Sequence, residues 1–225
     1  MSDPFPTHKE ILPPAQQLIW PDLAAAHRLG LVLYGGTAIA LRLGHRSSVD
    51  FDFFTADPLE KDRLHDWFPF LTRATAIQDS PNSYTVLVPC GLPDEKHVKV
   101  SFFGAIRFGR VGEPSWTDDG VLQVASLDDL MATKLKVMLQ RIEAKDYLDI
   151  AAMLDAGASL EKGLASARRL YGGTFQPSES LKALVYFEGG DLESLNSKTR
   201  NLLIEAARRV RQLPRVDLRS ARLTL

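Results

Sequence analysis

Residues 33–54, LYGGTAIALRLGHRSSVDFDFF, decide how this chain is read. The stretch ends in two aspartates, Asp50 and Asp52, separated by one phenylalanine. Side chains alternate between the two faces of an extended strand, so the carboxylates share one face while Val49, Phe51 and Phe53 share the other. The apolar trio is expected to anchor the strand in a core. Two carboxylates placed side by side repel each other, and protonation, basic neighbours or a cation must relieve the repulsion. A hard divalent ion, Mg²⁺ or Mn²⁺, suits the pair, because such ions take oxygen ligands and share them with substrate phosphates.

The turn upstream completes this picture. Gly35 and Gly36 leave the backbone uncovered, and a helix starting there offers N–H groups and a partial positive charge to a phosphate, with the Thr37 hydroxyl as a further donor. His45 and Arg46 precede the strand, and Arg46 is a further candidate for substrate phosphate. Phosphate contacts on one side and metal-binding carboxylates on the other describe a site for a nucleoside triphosphate.

Outward from this stretch, pattern separates the chain into parts. Residues 1–14 carry four prolines and form an extended lead-in, polar and without the apolar centre of a signal peptide. Residues 15–125 alternate helical and strand patterns: a helix over 15–29 ending at Gly30, strands over 31–34 and 48–54, a short helix over 38–43 stopped at Gly44, a helix over 59–71, and strands over 83–88 and 97–103. Residues 126–225 are helical in character. A long run over 127–154, broken near Ala144, is followed by helices over 160–170, 178–187 and 197–212. The fold class is therefore α+β, a small mixed sheet flanked by helices with a helical C-terminal part.

Composition excludes several functions. The chain has 225 residues, 45% hydrophobic and 24% charged, with a formal net charge of −1, so it is no polycation that coats itself in nucleic acid. Its one cysteine, Cys90, excludes an internal disulfide and a Cys-based zinc cluster. No apolar run reaches the roughly 18 residues of a membrane helix, which makes a cytoplasmic address the default and a membrane partner unexpected. The neutral sum hides a local excess: Lys198, Arg200, Arg208, Arg209, Arg211, Arg215, Arg219 and Arg222 face only Glu205 and Asp217. That segment reads as a solvated helix face with a polar tail, or as a footprint for RNA or an acidic partner.

A second constellation lies in LMATKLKVMLQRIEAKDYLDIAAML, residues 130–154. On one continuous helix, Lys134, Arg141, Lys145 and Asp149 fall within about 80° of arc and emerge beside an apolar seam, where a phosphate-binding wall fits. The competing reading is a surface stripe of ion pairs with Glu143, Asp146 and Asp149.

GGTAIALRLGHRSSVDFDFF resembles the signature of the nucleotidyltransferase superfamily that includes DNA polymerase β, and specifically its AbiEii/AbiGii toxin branch, to which the MenT-type toxins are related. The second motif is similar to that branch's Lys…Arg…(Arg/Lys)-Asp-x-x-Asp pattern at Lys134, Arg141, Lys145, Asp146 and Asp149. The resemblance implies that Asp50 and Asp52 bind Mg²⁺ and the triphosphate, that Gly35, Gly36 and Thr37 form the phosphate turn, and that Lys134 contacts the triphosphate. It also implies that Asp146 or Asp149 assists catalysis, the helical face favouring Asp149. A toxin of a toxin–antitoxin pair follows, with transfer RNA as an acceptor and a small DNA-binding antitoxin as partner.

One departure stands out. Many such transferases place a third carboxylate on a neighbouring strand, and in HVKVSFFG the residue facing that way is Ser101. A serine cannot act as a base near neutral pH. Either Asp149 or Asp146 supplies that role from the helix, as the toxin branch suggests, or catalysis is weak or absent; Asp79 and Asp94, both in turn-like contexts, are further candidates. The leading expectation is a Mg²⁺-dependent transferase moving a nucleoside monophosphate from a nucleoside triphosphate to an acceptor hydroxyl. The alternative is a nucleotide- or partner-binding module with the same fold and little or no turnover, and a third is a protein whose Asp50 and Asp52 are merely exposed strand acids.

Overall fold

The structure, a computed structural model, describes residues 3–91 and 97–225. Asp94 lies outside the described residues. The chain forms two compact units: a sheet unit of residues up to 109 with 113–125 and 220–225, and a helical unit of residues 110–112 and 126–219.

In the sheet unit the lead-in is not wholly extended. Lys9–Ile11 forms a 3-10 turn, and Phe5 bridges to Thr117. The helix expected over 15–29 is two pieces, α1 (Pro14–Ile19) and 3-10 turns over Pro21–Leu29, because Pro21 lacks the N–H a continuing helix needs. Gly30, at φ 65°, ends the segment as expected. Then come β1 (Val32–Tyr34), α2 (Gly35–Leu43), β2 (Asp50–Phe54), α3 (Lys61–Trp67), β3 (Thr75–Ser80), β4 (Ser83–Pro89), β5 (His97–Phe103), β6 (Ser115–Trp116) and β7 (Gln123–Val124).

These strands make one seven-stranded sheet in the order β3-β4-β5-β2-β1-β7-β6. The β2–β5 and β1–β7 pairs are parallel and the others antiparallel, so the sheet is mixed. The aspartate strand, β2, is internal, between β1 and β5. Phe51 and Phe53 are fully buried and Phe53 stacks on Phe102 with ring centroids 5.7 Å apart. Burying each such ring contributes about 1.5–3 kcal/mol. Val49 departs from the expected trio: it precedes the first paired residue of β2, where alternation no longer applies, and is 61% exposed.

Arg42 fastens α2 to the sheet. Its guanidinium donates to the carbonyls of Ala125 and Val124, at 2.9 Å each, and lies over the Phe5 ring. Asp119 does similar work for the lead-in, accepting from Lys9 Nζ and Trp20 Nε1, each at 2.9 Å, and from Thr117 Oγ1 at 2.7 Å. Burial alone would raise the Asp119 carboxyl, but these hydrogen bonds outweigh it and hold it at about 2.

The helical unit contains α4 (Leu127–Val137), α5 (Ala144–Asp155), α6 (Leu160–Tyr171), α7 (Pro177–Leu184) and α8 (Ser197–Arg209). Ser126 caps α4 by accepting from Asp129 N at 3.1 Å, and Asn196 caps α8. The run expected over 127–154 is interrupted between Val137 and Ala144, so its two halves are separate helices. A β-carbon at Gly163 of α6 would collide with Met131 of α4, so a glycine there permits the close packing of these helices. Among the described residues, no helix is long and apolar enough to cross a membrane.

Candidate active site

The sheet unit's candidate site grows from β1, α2 and β2. Antiparallel pairing sets Tyr34 opposite Asp52 and Leu33 opposite Phe53. The chain leaves β1 directly into α2 through Gly35, at φ 76°. A β-carbon at this position would be 2.6 Å from Asp52 Oδ2, so glycine serves both the left-handed turn and the close approach of the carboxylate. At Gly36 the space of a β-carbon is taken by the Arg46 guanidinium, with Ser48 Oγ 3.3 Å from it. The two glycines therefore bring the backbone against one anionic and one cationic side chain.

The N-terminal N–H groups of α2 have no partner within the helix and carry its positive end. No side chain at the Tyr34 N-cap position caps them. Thr37 behaves differently from its expected role. Its side chain is buried, its hydroxyl donates to the Asp50 carbonyl, and it shares a 2.8 Å hydrogen bond with Ser48 Oγ. Thr37 thus ties the start of α2 to the start of β2, with its hydroxyl engaged inside the protein. The sequence could not show this, because the tie depends on how the loop of residues 44–49 returns.

Asp50 and Asp52 do share a face, and both are only partly covered. Parallel pairing with β5 sets Lys99 beside Asp50 and Ser101 beside Asp52. Lys99 Nζ is 2.9 Å from Asp50 Oδ2, an ion pair in which the two side chains are 38% and 31% exposed. Ser101 is buried and occupies the neighbouring-strand position where a third carboxylate was sought. Asp79 does not replace it: β3 lies three strands from β2, Asp79 shares the opposite face with Tyr84 and Phe102, and its carboxylate pairs with Lys61. Among the described residues, no cluster of three or more His, Cys, Asp or Glu side chains could hold a metal. The chain thus supplies two carboxylates, a number that suits Mg²⁺ when phosphate oxygens and water complete its shell. The sequence pattern put Lys99 on the face of Ser101, but its pairing with Asp50 became visible only with the β2–β5 register.

In the helical unit, the second motif is gathered differently from its expectation. The break after Val137 removes the single continuous face. Instead α4 and α5 pack so that Lys134 Nζ lies 2.7 Å from Asp146 Oδ1 and 2.6 Å from Asp149 Oδ2. Both carboxylates are fully buried, and the lysine side chain is only 6% exposed. Arg141 adds bonds from Nε (2.9 Å) and Nη2 (3.1 Å) to the Asp146 oxygens while remaining 43% exposed. Burial alone would raise the Asp146 carboxyl, yet hydrogen bonds from Arg141 and the charge of Lys134 hold it below the usual carboxylate range. Lys145 pairs instead with Glu143 at 2.8 Å. One lysine thus bridges both Asp146 and Asp149.

The basic C-terminal segment is also not a uniform surface. Arg200 turns inward to the carbonyls of Leu192 and Glu193, and Arg222, in the sheet unit, pairs with Asp57 through both carboxylate oxygens. Lys198, Arg208, Arg209, Arg211, Arg215 and Arg219 remain exposed.

The chain is similar to several known proteins. The family described as nucleotidyl transferase AbiEii toxin, type IV toxin–antitoxin system, matches residues 22–219. An uncharacterized protein of Aquifex aeolicus (strain VF5) is 30% identical over 159 residues, covering 69% of this chain and 73% of that protein. Among solved structures, a candidate nucleotidyltransferase from H. pylori superposes with a TM-score of 0.58 at 20% identity, covering 86% of this chain and 90% of the other. The nucleotidyltransferase toxin MenT4 of Mycobacterium tuberculosis H37Rv gives 0.54 at 13% identity, with 88% and 85% covered. These two likenesses show a shared fold, and the family match shows more: this chain belongs to the AbiEii nucleotidyl transferase toxin family.

Proposed function

We propose that the chain is a Mg²⁺- or Mn²⁺-dependent transferase that moves a nucleoside monophosphate from a nucleoside triphosphate to an acceptor hydroxyl, with RNA, transfer RNA included, as the acceptor class. The observation that carries the reading is the placement of Asp50 and Asp52 on one partly covered face of β2, with Asp52 against the Gly35 turn. In this reading the two aspartates hold the metal, which neutralises phosphate charge when bound. The backbone N–H groups of Gly36 and Thr37, with the Arg46 guanidinium, receive phosphate oxygens. The acceptor hydroxyl attacks the α-phosphorus and releases its proton to water, the bond from that phosphorus to the oxygen bridging the α- and β-phosphates breaks, and pyrophosphate leaves with that oxygen. Catalysis is positioning and electrostatics.

Within the helical unit, the family resemblance gives Lys134 and Asp149 catalytic roles. Their burial against each other supports a different division: Lys134, Asp146 and Asp149 set the α4–α5 arrangement, and Arg141 and Lys145, whose cationic ends reach solvent, are this unit's candidates for anion contact. A cognate antitoxin as partner accompanies the toxin family.

The test is incubation with each labelled nucleoside triphosphate, Mg²⁺ and total RNA, reading which label becomes covalently attached and to what. Attachment that vanishes with Asp50→Ala and Asp52→Ala supports the proposal. Nucleotide binding without transfer to any RNA or protein favours the binding module, the reading that Ser101 beside Asp52 supports. The exposed bases of α8 and the segment after it support an RNA acceptor. Exchanging Arg209, Arg211 and Arg215 for Glu is expected to weaken RNA binding and lower its salt slope by about 3; an unchanged slope would remove that support.

A further inference from the structure

We infer that Lys99 is an exchangeable internal counter-ion of the metal site: it holds Asp50 when no divalent cation is bound, is released when one binds, and then contacts a non-bridging oxygen of the triphosphate. The inference rests on the reading of Asp50 and Asp52 as metal ligands. Its basis is geometric. Lys99 is the register partner of Asp50 on the parallel strand β5, on the face shared by Asp50, Asp52 and Ser101, with its ammonium 2.9 Å from Asp50 Oδ2. An ammonium at that distance neutralises the oxygen that a metal would take, and a divalent cation beside it repels it, so the two states of Asp50 exclude each other.

The contrast with Lys134 indicates that this pair can open. Lys134 is enclosed by two fully buried carboxylates, whereas Lys99 and Asp50 are each about a third exposed, on a flexible four-carbon stem. On the other side of Lys99 the register neighbour is Leu87, which offers no charge. A lysine displaced from Asp50 therefore gains a new anionic partner on this face when a triphosphate arrives, and lysine ammonium groups serve phosphates as point charges. The same side chain then weakens binding of the metal alone and strengthens binding of the metal–nucleotide complex, favouring the ion when it comes with its phosphates.

Opposite signs make the inference testable without turnover. Isothermal titration would measure Mn²⁺ alone, and then a non-hydrolysable nucleoside triphosphate at saturating Mn²⁺, on wild type, Lys99→Met, Lys99→Arg and Asp52→Asn, each checked for an unchanged far-UV circular dichroism spectrum. Lys99→Met is expected to bind Mn²⁺ about three- to tenfold more tightly and the nucleotide about tenfold more weakly, while Lys99→Arg keeps most of the nucleotide affinity. Metal affinity that is unchanged or reduced in Lys99→Met overturns the inference, as does unchanged nucleotide affinity. Loss of Mn²⁺ binding in Asp52→Asn shows that the underlying site stands even then. Wild type that binds no Mn²⁺, or Asp52→Asn that binds it normally, defeats the site reading itself.

Discussion

The protein contains two carboxylate pairs, and they solve the same electrostatic problem in opposite ways. Asp50 and Asp52 lie on one face of an internal strand, partly open, and Asp50 meets Lys99, whose side chain is 38% exposed. Asp146 and Asp149 are fully buried, with Lys134 bridging them and Arg141 gripping the former. A buried carboxylate pays a large desolvation cost, so its cation must be built in and permanent. A partly solvated pair tolerates an exchangeable partner. Openness, more than acidity, distinguishes the pair proposed to receive a metal–phosphate complex from the one that holds helices together.

The largest effect separates the pairs by function. Asp50→Ala or Asp52→Ala should lower nucleotide transfer by at least about three orders of magnitude, since in the proposed mechanism metal-held phosphate charge stabilises the transition state. The melting temperature should change little, because these side chains are not core. Transfer assays beside thermal melts check both halves, and a variant that melts far below wild type would place Asp50 or Asp52 with the structural pair.

Next in size is the reverse case. Lys134→Met leaves two buried carboxylates without their shared cation, and a denaturant titration should show a loss of about 3–5 kcal/mol. Lys99→Met, which breaks an exposed pair, should cost under about 1 kcal/mol. Equal losses would erase the distinction drawn between the two lysines. Acid should reveal the same asymmetry. Asp146 has a folded-state pKa below its unfolded value, so its stabilisation is fully present above the unfolded value, near about 4, and is lost as pH falls through the lower folded value. Arg141→Gln removes a main cause of the depression and should move acid unfolding to higher pH.

How much of this was legible beforehand follows from what each feature depends on. Strand alternation put Asp50 and Asp52 on one face of their strand and Lys99 with Ser101 on one face of theirs, and glycine chemistry placed the turn at residues 35–36; all of these are local. The expected helices failed where a single residue or a cap decides, as at Pro21. β3 was missed because its residues are all exposed and show no apolar alternation, and β6 and β7 because two residues carry no period. Val49 was misplaced by one residue of strand length. Of the second motif's residues, Lys134, Arg141 and Asp149 do meet, together with Asp146, while Lys145 pairs with Glu143; a helical wheel assumes one helix, whereas Lys134 reaches Asp146 and Asp149 across the break between two. Pairings such as Lys99–Asp50 and Thr37–Asp50 required the register and the loop closure, which no local pattern encodes.

The smallest prediction concerns whether the glycine turn belongs wholly to the open pair or borrows from the structural style of the buried one. Thr37 is buried, and its hydroxyl donates to the Asp50 carbonyl, fixing the first turn of α2 on the strand that carries the aspartates. Thr37→Val keeps the shape and deletes this bond, leaving that carbonyl without its hydroxyl donor. A stability loss of about 1–2 kcal/mol is expected, recovered in Thr37→Ser, with nucleotide affinity changed less than about twofold because the hydroxyl faces the strand. A tenfold loss of nucleotide affinity at unchanged melting temperature would mean that the hydroxyl turns to the phosphate when nucleotide is bound. The start of α2 would then be remodelled by its ligand, whereas the buried tie implies that it stands ready before the ligand arrives.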